Sequence, residues 1–487
     1  MLRPSYQEVK AYADDGSYTV CPVCLEILSD FRTPVEVMRA LLKVDEHCFM
    51  LESADQSKRW GRYTFLGYRP KLGISVLNGR MTVDGRLVAT DDVNAEIRKI
   101  LDGYRSPKVR DMPPFTGGLV GYFSYDYLKY SEPTLKLDAE DTERFKDIDL
   151  MLFDRIIVFD NYKQKMLLIV NIELNDPAAN YRAAEKELRA MEELVRHGAP
   201  EQNLGGKLTS EITPLFPKER FCEMVRKAKD HIREGDIFQV VLSNRLEAEF
   251  EGRLFDTYRV LRSLNPSPYM IYFSGSDMEV AGASPETLIK LEDGILHTFP
   301  LAGTRPRGRT EEEDLQLERD LLADPKELAE HNMLVDLGRN DLGRISEFGS
   351  VKVERYHVVE RYSHVMHIGS VVRGKIKDGC DALDAVASVL PAGTLSGAPK
   401  IRACQIINDL EDNKRGIYGG GFGYIGFTGN LDMCIAIRIA YRKNNRVFIR
   451  SGAGIVADSV PEKEFEESMN KAAAVLKAIR AAEGGDL

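Results

Sequence analysis

Apolar residues between Tyr18 and about Asn175 come in short runs such as RYTFLGY and RIIVFDNY, with turn residues between them and Gly117, Gly118 and Gly121 as further punctuation. Runs of this length, rich in β-branched and aromatic residues, predict strands. The pattern then changes to a helical one over Pro177 to His197. Gly198 to Pro217, GAPEQNLGGKLTSEITPLFP, is polar and rich in Gly and Pro and reads as a linker. Beyond it the pattern predicts a helix from Lys218 to Glu234, strands through Gln239 and Tyr272, an acidic helix near Glu330, a second β-rich stretch and a last helix. Strands that do not alternate regularly with helices predict an α+β fold, with largely antiparallel sheets covered by helices. The chain thus divides into regions 18–197 and 218–482 joined by 198–217, with no internal repeat and no low-complexity tract.

Composition narrows the class. The 487 residues are 43% hydrophobic, with no apolar run long enough to span a bilayer and no charged-then-apolar leader at Met1, so a soluble, cytoplasmic protein is expected. A formal charge of -10 argues against a polyanionic partner, so neither nucleic acid nor membrane is expected to bind. Seven scattered cysteines do not make a disulfide framework in a chain of this size. Cys21 and Cys24 form CPVC, but no second C-x-x-C follows at zinc-ribbon spacing and no βαβ pattern surrounds it. Two small buried thiols near a strand start are the expectation.

Two acidic pairs carry candidate chemistry. Glu327 and Glu330 lie in DPKELAEHNMLVDLGRNDLGRI, and Glu464 and Glu467 in SGAGIVADSVPEKEFEESMNK. On a helix, i,i+3 spacing puts both carboxylates of a pair on one face. Four hard oxygen ligands suit Mg²⁺, which keeps waters and completes its shell with an anionic substrate. A plainer reading stands beside this one. Asp324, Pro325 and Glu327 also match a helix start with a capping box. In the last helix Phe465, Met469, Ala472, Leu476 and Ile479 recur at core spacing, leaving Glu464, Glu467 and Lys471 at the edge of the apolar stripe, where a cleft lining and surface acids are both found.

The glycine run IYGGGFGYIGF holds Gly421, Gly423 and Gly426 in a GxGxxG frame, but a strand rather than a helix follows it, so the dinucleotide reading fails and a hairpin is expected. Ser396 in GTLSGAPK lacks the frame of a nucleophile elbow, and no cysteine sits in a glutamine-amidotransferase-like setting.

Taken together, the blocks FMLES with KRWGRYTFLG, IFQVVLS, NPSPYM, GASPE, PLAGTRPRG, AEHNMLVDLGRND, SHVMHIGS, GTLSGAPK, IYGGGFGYIG, CIAIRIAY and the final SGAGIVADSVPEKEFEESMNK closely resemble the chorismate-utilising enzymes, from about Tyr18 to Ala482. Within that family they are similar to the large synthase subunits that make anthranilate. The resemblance implies two packed sheets and a site distributed over the second half. Where water-adding members carry an activating lysine, this chain has Gln239, an amide that cannot act as a base. Where lysine-bearing aminodeoxychorismate synthases have PIKGT, this chain has PLAGT, with Ala302 in place of the amine that forms a covalent adduct. Direct attack of ammonia on ring C2, followed by loss of pyruvate, is the chemistry the resemblance leaves.

The same resemblance implies roles. Mg²⁺ held by Glu327, Glu330, Glu464 and Glu467 would bind the ring carboxylate of chorismate, while Arg438 and Tyr418 grip the enolpyruvyl carboxylate. Glu286 is the counterpart of the acid that protonates the departing C4 hydroxyl, and His367 of the group that assists pyruvate elimination. Lys471 would hold substrate or the acid cluster. Gly303, Thr304, Thr394, Gly452 and Gly454 would bring backbone donors to the ligand. Leu51, Glu52 and Ser53, with Asn265, Pro268, Tyr269 and Met270, resemble a pocket for tryptophan as feedback inhibitor. A separate glutamine amidotransferase subunit is the implied source of ammonia. An aminodeoxychorismate synthase lacking the lysine, and a catalytically silent regulatory homologue, are the alternative readings.

Overall fold

The computed structural model describes residues 2–53, 61–361 and 365–483. Lys58 to Trp60 and Ser363 to His364 of the quoted blocks lie outside the described residues. Among the described residues the strands form one 14-stranded and one 12-stranded sheet. The larger runs in the order Leu2–Arg3, Val20–Leu28, Lys165–Glu173, Arg155–Asp160, Tyr63–Tyr68, Cys48–Glu52, Tyr269–Ser274, Glu279–Ser284, Ile439–Lys443, Arg446–Ile455, Gln239–Gly252 and Gly206–Leu208. The smaller begins at Leu301–Pro306 and Val365–Lys375 and passes through Ile295–Thr298, Thr287–Glu292, Leu431–Ile435 and Gly421–Gly426. It continues to Gly118–Phe123, Ile148–Phe153, Leu72–Leu77, Arg80–Val83 and Arg86–Val88.

Each sheet joins the two halves of the sequence through an antiparallel seam. Phe49 to Glu52 pair with Met270 to Phe273 in the larger sheet, and Gly118 to Phe123 pair with Gly421 to Gly426 in the smaller. Regions 18–197 and 218–482 are therefore stretches of sequence that complete each other's sheets and share one core. The segment 198–217, expected as a linker, carries the strands Gly206–Leu208 and Thr213–Pro214, both paired with Gln239–Gly252. Its glycines and prolines shape an edge covering for a long strand whose backbone groups need partners.

The sheets pack face to face over an aromatic layer in which Phe49 meets Phe153 at 4.7 Å and Phe115 meets Tyr424 at 4.3 Å between ring centroids. Helices cover the outer faces. The helices Pro34–Val44, Pro177–His197, Phe255–Leu264 and Pro461–Glu483 bury their apolar sides on the larger sheet, and Val93–Asp102 and Ala382–Val389 on the smaller. Cys21 and Cys24 are buried and unbridged, and exclusion from water pushes their thiols up to about 12 and about 11. The glycine run forms a hairpin, with Gly421–Gly426 antiparallel to Leu431–Ile435.

One buried polar cluster ties several of these elements together. Glu411, at the end of the helix Lys400–Glu411, accepts from the Ser243 amide at 2.7 Å, from Arg415 Nη2 at 2.5 Å and from Arg450 Nη2 at 2.8 Å. Arg415 donates onward to the carbonyls of Leu395 and Val241, both at 2.7 Å. Burial alone would raise the Glu411 pKa, but the charges of Arg415 and Arg450 outweigh it and hold the acid below its usual value. Glu411→Ala leaves two buried guanidinium groups without their carboxylate and is expected to cost about 3–5 kcal/mol of stability, read from the denaturation midpoint and slope.

Candidate active site

Two chain crossings between the sheets form the floor of the site. The chain leaves the larger sheet at Ser284 and enters the smaller at Thr287, placing Pro285 and Glu286 on the passage; it returns between Ile435 and Ile439, placing Ile437 and Arg438 there. The passages run side by side. Ile435 N donates to Glu286 O at 3.0 Å, Ala283 N donates to Arg438 O at 3.1 Å, and the buried Ser284 hydroxyl donates to Ile435 O at 2.6 Å. Arg438 has a φ of 52°, a left-handed conformation costly for a long side chain and held here by those flanking hydrogen bonds.

Above this floor lies a cavity of about 860 Å³. It is lined by Gln239, Glu286, Gly303, Thr304, Glu327, Glu330, His367, Thr394, Tyr418, Arg438, Gly452, Gly454, Glu464, Glu467 and Lys471, so all the residues assigned from sequence to catalysis, substrate and metal border one space. They arrive from far apart in the chain. Gln239 opens the strand Gln239–Gly252, which pairs with Arg446–Ile455 so that Ser243 lies opposite Gly452. A Cβ on Gly454 would stand 2.8 Å from Gln239 Nε2, and one on Gly452 3.0 Å from the Tyr418 hydroxyl. The absence of side chains there is what lets the amide and the phenol approach the backbone.

Asp324 caps the helix Pro325–Gly343, accepting from Lys326 N at 3.0 Å and Glu327 N at 3.4 Å, with Pro325 in the first turn. The plain cap reading thus explains Asp324. It does not explain Glu327, whose carboxylate accepts from Arg305 Nη1 at 3.3 Å and faces the cavity beside Gly303. On the helix Pro461–Glu483, the apolar side with Ala472, Val475 and Ile479 is buried while Glu464, Glu467 and Lys471 face the cavity. Burial first, and then the negative charges of Glu327 and Glu467, raise the Glu330 pKa. Burial, with Glu467 adding to it, raises that of Glu464.

The two helices therefore present their acids to each other, as hard oxygen donors whose mutual repulsion a divalent cation would relieve. The donor set fits such an ion at the cavity wall. All four carboxylates border the cavity, where such an ion would keep water among its ligands. The acids are also charge-balanced locally, since Lys471 Nζ lies 2.7 Å from Glu467 and 3.1 Å from Gly452 O.

Glu286 accepts from the Thr394 hydroxyl at 3.1 Å, and burial pushes its pKa up to about 7 against the opposing charges of Arg438 and Lys471. A carboxyl so tuned carries a proton near neutral pH and can give it up. His367 lies on the strand Val365–Lys375 with Nδ1 2.9 Å from Gly303 O. A carbonyl only accepts, so Nδ1 carries the proton of the neutral ring and Nε2 the lone pair. Burial, aided by Arg438, lowers the His367 pKa and favours that neutral form.

Sequence reading passed over several lining groups. Arg450, fully buried on a strand, reaches the cavity while bound to Glu411, and Lys326 stands on one acidic helix; Lys463, which the apolar spacing of the last helix puts on the far, solvated side, lines the cavity instead. The signal was an arginine inside the apolar strand FIRSGAGI, a place where a charge needs a buried partner.

The residues assigned to an inhibitor pocket do not share one surface. Glu52 pairs with Met270 in register, on the helix-covered face of the larger sheet, while Leu51 and Tyr269 pack into the layer between the sheets. The alternation of a strand imposes this. Glu52 is buried, bound to the Tyr258 hydroxyl and held in a forked pair with Arg262 at 2.5 and 3.2 Å, so an incoming ammonium would have to displace a guanidinium. Asn265 and Pro268 instead line the large cavity, and the Tyr269 hydroxyl meets Thr287 and Asp432.

This geometry, two antiparallel sheets with a cavity at their crossings armed with a half-buried acid, an arginine and four carboxylates, defines a class. The chain belongs to the chorismate binding enzymes, whose family profile matches residues 46–477. Anthranilate synthase component 1 of Acetivibrio thermocellus is 43% identical over 494 residues, covering 99% of both chains, and that of Aquifex aeolicus is 44% identical over 492 residues with the same coverage. Among solved structures, anthranilate synthase component I from Streptococcus pneumoniae superposes with a TM-score of 0.78 at 38% identity, over 92% of this chain and 98% of that one. The menaquinone-specific isochorismate synthase from Escherichia coli shares the fold, with a TM-score of 0.69 at 19% identity over 97% and 98% of the two chains. No described helix is long and apolar enough to cross a membrane.

The raised pKa of Glu286 sets a pH signature. The folded protein holds this proton up to about pH 7 and the unfolded chain releases it near the ordinary glutamate value of 4.5, so the folded state loses stability as pH rises between them. Glu286→Gln removes that dependence. Its stability relative to the parent is expected to increase from pH 5 to pH 8 in denaturant titrations, and an unchanged difference would place the carboxyl in an ordinary aqueous setting.

Proposed function

We propose that this chain is the synthase subunit of an anthranilate synthase, converting chorismate and ammonia to anthranilate, pyruvate and water. The observation that carries the choice within the family is the wall of the cavity at Gln239 and Ala302. Neither offers an amine or a base, so neither hydroxylation at C2 nor a lysine adduct there has its catalyst. The near full-length similarity to anthranilate synthase component 1 supports the same choice.

The chain's own residues suffice for the acid–base steps. Arg438 and Tyr418 bind the enolpyruvyl carboxylate, the arginine through its planar fork. Glu286 gives its proton to the C4 oxygen, which leaves as water as ammonia bonds to C2. His367, neutral with its lone pair on Nε2, assists removal of the C2 proton as pyruvate departs. Lys471 balances Glu467 and keeps the helix edge against Gly452. Glu327, Glu330, Glu464 and Glu467 would hold Mg²⁺, which when bound engages the ring carboxylate and draws electron density from C2. Ammonia comes from a glutamine amidotransferase subunit, because no cysteine of this chain sits in an amidotransferase-like setting, and a cytoplasmic location accords with its seven unpaired cysteines.

Incubation of the purified chain with chorismate, Mg²⁺ and ammonium, followed by fluorescence and mass of the product, tests this reading. Anthranilate is expected; 4-amino-4-deoxychorismate or isochorismate as the main product would overturn it. Glu330→Gln and Glu467→Gln are each expected to weaken Mg²⁺ binding, read by calorimetry, and to abolish most turnover. Full activity with parental Mg²⁺ dependence in both would mark the acids as surface charge.

We also infer feedback inhibition by tryptophan at Leu51, Glu52 and Ser53 with the NPSPYM segment, on the helix-covered face where Glu52 and Met270 pair, the inhibitor's ammonium displacing Arg262 from Glu52 while Leu51 and Tyr269 back the strands from the other face. Its support is the continuity of that segment from Tyr269 and Met270 to Asn265 and Pro268, which border the catalytic cavity. Linkage requires the effect to be reciprocal, tryptophan and chorismate weakening each other's binding by one factor. Ser53→Phe is expected to relieve inhibition while leaving the uninhibited rate close to normal. Full tryptophan sensitivity in that variant would remove the site.

A further inference from the structure

Adjoining the large cavity, with Glu286, Leu334 and Thr394 lining both, lies a second, smaller space of about 50 Å³. Its walls are mostly apolar, with Leu288, Leu334, Leu337 and Val389 among them. Glu286, Thr298, Asp341 and Thr394 are among its polar lining residues, the Thr298 hydroxyl donating to Leu288 O at 3.3 Å. A water needs roughly 10–15 Å³ of such space and two or more polar partners, so there is room for about three.

Asp341 is a buried acid with no part in the chemistry described so far. It lies on the same helix as Glu327 and Glu330 but three turns further along. It is paired with Lys400 at 2.9 Å, and the side chains of Asp341 and Lys400 keep 10% and 12% of their surface exposed, so the pair connects the enclosed space with solvent. Lys400 is fixed in turn by Val389 O at 3.1 Å. Burial raises the Asp341 pKa, with Lys400 and Arg344 opposing. The charges that face Glu286 are Arg438 and Lys471, both lining the large cavity.

Resting on the proposed amination chemistry, we infer that this space is a proton-delivery route, in which water links the Asp341–Lys400 pair to Glu286 and returns the proton that Glu286 loses in each turnover. In that turnover the C2–N bond forms and the C4–O bond breaks. The Glu286 proton leaves in the departing water, and Glu286 remains as a carboxylate. The proton that restores it comes from a water in the small space, replaced from solvent by way of Asp341 and Lys400. Glu286 sits where the two spaces meet. With substrate occupying the large one, delivery through the small one lets the acid reload.

The test separates the first turnover from later ones, using the full chain with saturating chorismate, Mg²⁺ and ammonium in a rapid-quench apparatus. The first equivalent of anthranilate uses the proton already on Glu286. Asp341→Asn is therefore expected to form it at the parental rate and then to fall at least tenfold below the parent in steady state. Thr298→Val, which removes a polar group from the wall of the small space and leaves the Asp341–Lys400 pair in place, is expected to show the same burst. Parental steady-state rates in both variants would overturn the route, and so would equal slowing of first and later turnovers, the mark of a packing role alone. If the parent chain makes no anthranilate, the amination chemistry fails and the inference with it.

Discussion

Two short peptide passages, held to each other by three hydrogen bonds, set the geometry of everything else in the site. At Ala283 to Thr287 and Ile435 to Ile439 the chain changes sheets, and Glu286 N–C–O and Arg438 N–C–O lie on adjacent, mutually bonded backbone. Backbone that leaves one sheet for another must satisfy its polar groups without a ladder, and here each passage serves as the other's partner. Glu286 and Arg438 are consequently placed relative to each other by the bonded backbone of the two passages. The left-handed φ of Arg438 is the local cost of that arrangement.

The rest of the cavity is hung from this floor by buried charge. Glu411 joins Ser243, Arg415 and Arg450, and Arg415 reaches the carbonyl of Leu395, next to the Thr394 that bonds Glu286. A fully paired ion cluster adds little net stability over apolar packing, but it penalises any arrangement that leaves one charge alone. It therefore specifies the relative position of the strands Gln239–Gly252 and Arg446–Ile455, the Gly393–Leu395 turn and the end of the helix Lys400–Glu411. Those are the elements that present Gln239, Thr394, Gly452 and Gly454 to the cavity.

Electrostatics then divides the cavity by role. The two acidic helices bring Glu327, Glu330, Glu464 and Glu467 to the cavity, with Lys471 beside Glu467, while Arg438 supplies positive charge at the floor. A dicarboxylate with one end for cations and the other for a metal ion fits this polarity. Glu286 lies between, buried enough to stay protonated near neutral pH although two cations oppose that state. Glu286 borders both the large cavity and the smaller space lined by Asp341, which follows from its place on a crossing rather than within a strand.

Residue pattern alone settled the secondary structure at many points. The helices Pro177–His197 and Lys218–Arg233, the strands around RYTFLGY and RIIVFDNY, the glycine hairpin and the cap at Asp324 follow from local periodicity and turn chemistry, which act over a few residues. The long motif blocks pointed to the family and to Glu286, His367, Arg438 and the four glutamates as one site. Tertiary structure alone decided that the halves interleave in both sheets and that 198–217 is strand-bearing. It also decided that Glu52 is engaged by Arg262, and that Leu51 and Met270 face opposite sides of a sheet. Arg450, Glu411 and Asp341 belong to that second group as well. Their meaning depends on which charges lie within hydrogen-bond reach, and those partners are tens to hundreds of residues away in the chain, brought near only when both sheets close over a common core.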